Sequence, residues 1–304
     1  MPTFAPVLLQ PQGWGNAEWE TWNTGCRQAR DNSGMKVASH SATQQSNGAT
    51  GGADVKLESI GLSFPSRTAP GTSRWAVKDV NCTFPAGELC SIIGPSGCGK
   101  STLLSIISGL LPPNTGSVLI GGRPASGINP DLGFMFQKDT LVPWRTALDN
   151  VMMPLEIAGR PDRGVAAGLL TKLGLHGFEE HFPRELSGGM RKRVQLARLL
   201  AQDPGILLMD EPFGALDAQT KLVIHEEFLR LWEASRQTVL FVTHDLTEAI
   251  LLSDRIVLVS AGPGTIRAEY PVPIARPRHV ETVMESPVFH RLFREIWAAL
   301  RESP

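Results

Sequence analysis

Short apolar runs and helical patterns alternate along most of the chain. VKLESIGLSF (residues 55–64) reads as a strand. GELCSIIG (87–94) is a near-continuous apolar run closed by glycine, the pattern of a buried strand. KSTLLSIISGL (100–110) places Leu103, Leu104, Ile107 and Leu110 on one helical face. SVLIGG and LGFMFQ read as further strands. SGGMRKRVQLARLLAQ (187–202) reads as a helix capped by Ser187, with Val194, Ala197, Leu200 and Ala201 as its apolar stripe. ILLMDE, TVLFVTHD and RIVLVSAG are three more β-rich runs with a helical pattern between each pair. Such alternation predicts an α/β sheet wrapped by helices.

The two ends read differently. Residues 1–53 are rich in Gly, Ser, Thr, Asn, Gln and Ala, and 39–54 bury too little apolar surface to offset ordering entropy. They read as a disordered leader. Trp14, Trp19 and Trp22 leave open a docking segment, and Met35 leaves open a later start. YPVPIARPRH (270–279) is Pro-rich and extended, and an amphipathic helix follows with Val288, Leu292, Ile296 and Leu300 at helical spacing. That stripe packs on the chain's own core or faces a partner.

Composition narrows the classes. The 29 basic and 30 acidic residues nearly cancel, which gives no support to binding nucleic acid or anionic membrane through bulk charge. No run of 18 apolar residues occurs, so the chain is not expected to span a bilayer, and MPTFAPVLLQPQGWG does not read as a secretory signal. Cys26, Cys82, Cys90 and Cys98 form neither a CxxC pair nor a disulfide framework, which fits a reducing compartment.

GPSGCGKST (94–102) fits GxxxxGK[ST] and lies between a buried strand and a helix. Phosphates need close N–H donors, a positive helix end and a cation. Gly94, Gly97 and Gly99 let the backbone curl closely, Lys100 reaches the β/γ oxygens, and Ser101 offers its hydroxyl to Mg²⁺. Ser96, Cys98 and Thr102 complete the candidate nucleotide loop.

ILLMDEP (206–212) ends a strand on two carboxylates. Asp210 is the candidate Mg²⁺ holder, and Glu211 can accept a proton from attacking water. LSGGM (186–190) makes a second anion cradle from Ser187, Gly188 and Gly189 at a helix start. One ATP does not easily need both cradles from one compact domain, and a head-to-tail dimer resolves this.

In this order the motifs resemble the ATP-binding subunits of ABC transporters over about residues 55–275. GPSGCGKST is similar to Walker A, Gln137 to the Q-loop glutamine, LSGGM to the signature, ILLMDE to Walker B, Asp217 in ALD to the D-loop and His244 in FVTHD to the switch histidine. Met190 stands where the commonest family form has Gln. MFQKDTLVPWRTALDNV (135–151), LSGGMRKRV and LLMDEPFGALDAQT look like the nitrate, sulfonate and taurine importer branch.

The resemblance implies a P-loop NTPase fold: a RecA-like α/β core, an antiparallel β subdomain and a helical subdomain at about 139–202. The ATPase domain would span 54–275, with 276–304 as a C-terminal extension. It implies ATP and Mg²⁺ as ligands, with Mg²⁺ on Ser101, Gln137 and Asp210. It implies Glu211 as general base, His244 at the γ-phosphate, Gln137 near the attacking water, Ser187 and Gly189 on the partner's ATP, and Asp217 across the dimer. Phe64 or Trp75 would stack on adenine, with element order favouring Phe64. The expected partners are a second ATP-binding subunit, transmembrane permease subunits and, through them, a solute-binding protein. Attachment would be peripheral, on the cytoplasmic face of the inner membrane, without nucleic acid. The alternatives are a soluble ABC ATPase acting on nucleic acid or ribosomes, and a P-loop switch or kinase. His176, His181 and His225 read as surface or packing residues.

Overall fold

A computed structural model describes residues 52–65 and 72–302. The leader, with Trp14, Trp19, Trp22 and Met35, lies outside the described residues, as do residues 66–71.

Two sheets organise what is described. β1 (Val55–Pro65), β2 (Ser73–Phe84), β4 (Thr115–Ile120) and β5 (Arg123–Pro124) form an antiparallel sheet in the order β2-β1-β4-β5. The second sheet runs β10-β9-β3-β8-β7-β6. It comprises β3 (Leu89–Ile93), β6 (Leu132–Met135), β7 (Ile206–Asp210), β8 (Thr238–Val242), β9 (Arg255–Val259) and β10 (Ile266–Pro271). Its strands are parallel except β10, which pairs antiparallel with β9. Every residue of β3, β7 and β8 is buried, which is why these strands are near-continuous apolar runs, with Ser91, Asp210 and Thr238 as their polar members. β2 escaped the sequence reading; its inward positions are Val77, Val80, Cys82 and Phe84.

α1 (Lys100–Ile107) follows β3 and buries Leu103, Leu104 and Ile107. The helix stops three residues short of the predicted Leu110, which is 43% exposed. Gly109 turns the chain there with φ +76°, and a Cβ on it would lie 2.0 Å from the Gly127 carbonyl oxygen. Between β6 and β7 the chain is helical: α2 (Ala147–Ile157), α3 (Arg163–Lys172), a 3₁₀ turn (Pro183–Glu185) and α4 (Gly188–Ala201). The buried side of α4 includes Val194, Leu196, Ala197, Leu199 and Ala201, while the predicted Leu200 is half-buried. α5 (Ala218–Ser235) and α6 (Leu246–Leu252) complete the crossovers.

One core lies among the antiparallel sheet, α1 and the central sheet; a second joins the central sheet to the remaining helices. α7 (Val280–Glu285) and α8 (Pro287–Arg301) belong to the second core through Val280, Val283, Phe289, Leu292 and Ile296. The α8 stripe therefore packs on the chain itself, with Val288 and Leu300 at its margins. Two arginines pin the segment before α7. Arg276 bonds Asp254 and lies 4.2 Å over the Trp232 ring, and Arg278 donates to four backbone carbonyls. Among the described residues, no helix is long and apolar enough to cross a membrane.

Candidate active site

The carboxyl ends of parallel strands are where α/β sheets bind ligands, because loops diverge there and helix N-termini converge. Four loops meet at that edge. Residues 94–99 link β3 to α1, and Gln137, Glu211 and His244 follow β6, β7 and β8 within two residues. Together they line a cleft of about 340 Å³. Its walls comprise Ala76, Ser96, Gly97, Gly99, Lys100, Ser101, Thr102, Gln137, Glu211, Val242 and His244.

The 94–99 loop is left-handed at three places: Gly94 at φ +158°, Gly97 at +76° and Gly99 at +95°. Gly99 matters most. A Cβ on it would stand 2.6 Å from Val77 Cγ1 and 2.7 Å from the Ala76 carbonyl oxygen. Gly99 is the N-cap of α1, and the first helical bond runs from Leu103 N–H to its carbonyl at 2.8 Å. The amides of residues 100–102 precede that bond and are the ready donors of a helix start. Lys100 Nζ donates to the carbonyls of Gly94 (2.9 Å) and Pro95 (2.8 Å), which hold the ammonium at the base of the loop. Cys98 turns its thiol inward, 1% exposed and 3.7 Å from Lys100 Nζ, so only its backbone is available to a ligand.

Glu211 is the meeting point. Gln137 Nε2 donates to its Oε2 at 2.9 Å, and His244 Nδ1 stands 3.3 Å from its Oε1. The Glu211 backbone sits at φ +48°, a conformation L-residues rarely adopt, and its N–H bonds the Val242 carbonyl at 2.9 Å. Asp210 lies beneath, 6% exposed. Burial pushes its carboxyl above the usual range, opposed by a hydrogen bond from Ser101, while the Glu211 charge adds to the rise. Its Oδ1 has no hydrogen-bond partner. A buried carboxylate oxygen without a donor, beside a serine hydroxyl, suits a hard cation. Among the described residues no group of three or more His, Cys, Asp or Glu could hold a metal, so such a cation would draw on phosphate and water as well.

Other candidates lie elsewhere. Ser187 caps α4, accepting from Met190 N–H at 3.2 Å, and it is exposed with Gly188, outside the cleft lining. Gly189 abuts the turn before α5, where a Cβ would meet Leu216 at 3.0 Å. Asp217 caps α5, accepting from Thr220 N–H at 2.9 Å, and Thr220 keeps its carboxyl below the usual range. Phe64 does not line the cleft; it is 43% exposed at the end of β1, opposite Arg74. The Trp75 ring lies over Gly61, about 3.0 Å from where a Cβ there would stand. Ala76 and Val242 line the cleft without having been predicted; Ala76 was signalled only by its neighbour Trp75.

A family model described as ABC transporter matches residues 77–214. The chain is 42% identical to the nitrate import ATP-binding protein NrtD of Synechococcus elongatus, over 79% of this chain and 89% of that protein. It is 44% identical to the taurine import ATP-binding protein TauB of Yersinia pestis, over 63% of this chain and 76% of that one. Among solved structures it resembles the ATP-binding cassette MJ0796, a dimer in a post-hydrolysis state bound to ADP and Pi. The TM-score there is 0.65 and the identity 34%, covering 73% of this chain and 100% of that one. With this much identity over this much of its relatives' length, the chain belongs to the ABC transporter family as an ATP-binding, ATP-hydrolysing subunit.

Proposed function

We propose that the chain powers an importer for a small solute, with nitrate, taurine or an alkanesulfonate as the first classes to test. The names of the nitrate and taurine relatives support this reading. The observation that carries the mechanism is the convergence of Gln137 and His244 on Glu211 above the glycine loop.

ATP lies with its phosphates on the 94–102 loop. The amides of Gly97, Gly99 and residues 100–102 and the Lys100 ammonium receive the β/γ oxygens. Ser101, Asp210 and Gln137 would hold Mg²⁺, which would supply neutralisation of the phosphate charge. Glu211 takes a proton from the water whose oxygen attacks the γ-phosphorus, and the bond from that phosphorus to the β–γ bridging oxygen breaks. Gln137 orients that water, and His244 donates to the γ-phosphate. Ser187, Gly188 and Gly189 close on the ATP of a second copy, and Asp217 bridges the pair. Phe64 or Trp75 covers the adenine, with element order favouring Phe64.

The transmembrane partners dock on the helices after β6, which keeps this chain peripheral on the cytoplasmic face of the inner membrane. A groove of about 150 Å³ supports this, lined by Phe134, Met153, Pro154, Ile157 and Arg198 among others. Ile157 and Trp144 stand 80% and 78% exposed. A solute-binding protein would act through those permease subunits.

The test is ATPase turnover and ATP-dependent dimerisation of Glu211→Gln and Lys100→Ala. The Gln variant is expected to bind ATP and dimerise while turnover falls about 10²- to 10⁴-fold. The Ala variant should lose productive binding. Normal turnover in Glu211→Gln would overturn the general-base role. Uptake of labelled nitrate, taurine and an alkanesulfonate in a deletion strain, restored by wild type but not by Lys100→Ala, would name the solute.

A further inference from the structure

Behind the cleft, outside its lining, lies a buried cation that the motifs do not explain. Lys192 sits in the second turn of α4 and is 8% exposed. Burying an ammonium is costly unless its donors are used. Here Nζ donates to the Phe136 carbonyl at 3.1 Å and the Gln137 carbonyl at 2.5 Å. The same face of α4 holds the next residues of that segment. Arg191 Nε pairs with Asp139 at 2.7 Å, Gln195 Nε2 donates to Asp139 at 2.9 Å, and Arg198 donates to the Thr140 carbonyl at 2.9 Å. Residues 136–140 have no strand or helix bonds of their own. Their path is set by α4, and it delivers the Gln137 amide to Glu211.

We infer that Lys192 is a positioning residue for hydrolysis, fixing the backbone of Gln137 so that its side chain orients Glu211 and the attacking water. The inference rests on the proposed roles of Gln137 and Glu211. Charge adds to it. Burial lowers the Lys192 pKa, and the carboxylates of Asp139, Asp210 and Glu211 oppose that shift, so the ammonium lies within electrostatic reach of both acids after β7. Lys192 does not line the cleft and meets it only from behind, through the Gln137 carbonyl, so removing it should impair the chemical step more than the binding of ATP. A displacement of about 1 Å at a catalytic group costs on the order of 10²-fold in rate.

The experiment is steady-state ATPase kinetics of the full chain in Lys192→Met, Lys192→Gln and Gln137→Ala, alone and combined. Lys192→Met keeps the length but removes the donors; kcat is expected to fall about tenfold or more with KM within about threefold. Lys192→Gln restores an N–H donor near the same carbonyls, and kcat should return to within about threefold of wild type. In the Gln137→Ala background, Lys192→Met should lower kcat by less than about twofold, since both changes remove one effect. Wild-type kcat in Lys192→Met overturns the inference, as does a full effect that persists without the Gln137 amide. Should Lys192→Met fail to show a cooperative thermal transition, Asp139→Asn carries the test on the exposed side of the same clamp. Its expected loss is about threefold, abolished by Gln137→Ala, and no loss overturns the inference. Wild-type kcat in Gln137→Ala itself would remove the underlying reading of Gln137, a failure distinct from that of Lys192.

Discussion

His225 gives a stability prediction whose sign and size both come from its surroundings. It is 2% exposed, edge-on to Phe213 at 4.7 Å, and neither ring nitrogen has a hydrogen-bond partner. Glu248 Oε1 stands 4.0 Å from Nε2, and Lys221 bonds Glu248 at 2.6 Å and Asp245 at 3.3 Å on the same side. Burial, with the Lys221 cation behind it, pushes the imidazole pKa down from 6.5 to about 4, against a weaker upward pull from Asp245. The unfolded chain takes up this proton near pH 6.5, while the folded chain resists it until about pH 4. Between those values the unfolded state binds more protons. Stability is therefore full above pH 6.5 and falls as the pH drops toward 4. Between pH 7 and pH 5 the loss works out at about 2 kcal/mol. That is a sizeable share of the ~5–15 kcal/mol of a typical domain. The measurement is urea unfolding at pH 7, 6 and 5 for wild type and His225→Leu. The variant's absolute stability is immaterial; its pH slope is the readout, and titrations common to both proteins cancel. Wild type is expected to lose about 2 kcal/mol more than the variant across that interval. Parallel losses would refute the argument.

Two further perturbations act on other parts of the fold. Gly99→Ala places a Cβ against Val77 and the Ala76 carbonyl at a φ of +95°; a thermal or urea melt should show a loss of about 1–3 kcal/mol, and nucleotide titration should show ATP binding weakened with it. Arg278→Met strands the carbonyls of Leu251, Ser253, Val272 and Ile274, all within 3.3 Å of the guanidinium, and urea midpoints should report a loss of about 3–5 kcal/mol with ATP affinity retained in the folded fraction.

Much of the central sheet was legible because burial on both faces leaves one readable trace, a near-continuous apolar run. β3, β7, β8 and β9 each announced themselves that way. β2 was harder, because RWAVKDVNCTF alternates irregularly: its partner register with β1 slips between Leu57 and Ile60 and again around Leu62. A bulge adds a residue to one strand and breaks the period of two on which strand reading depends. The short overrun of α1 has a similar cause. Leu110 keeps the helical spacing, but Gly109 at φ +76° breaks the period: its N–H bonds the Ile106 carbonyl and the Leu110 N–H reaches the Ser105 carbonyl, a turn that apolar spacing alone does not register.

The same distinction separates the cleft residues that were legible from those that were not. Backbone amides bind phosphate only where the chain can curl, so glycines had to appear at set positions, and a strand-end acid must follow its apolar run. These demands act on side-chain identity, and identity is what a sequence records. Lys192 answers a different demand. Its partners are the carbonyls of Phe136 and Gln137, which every residue type supplies. Asp139 does ask for a cation, but the one it pairs with is Arg191; nothing in the letters of residues 136–140 points to Lys192. The only trace is on the helix itself, where a charged residue stands on the buried side two positions before Val194. A buried lysine among apolar neighbours asks which acceptors repay its desolvation. The answer, the backbone of the residue that meets Glu211, lies 55 positions away and needed the fold to be seen.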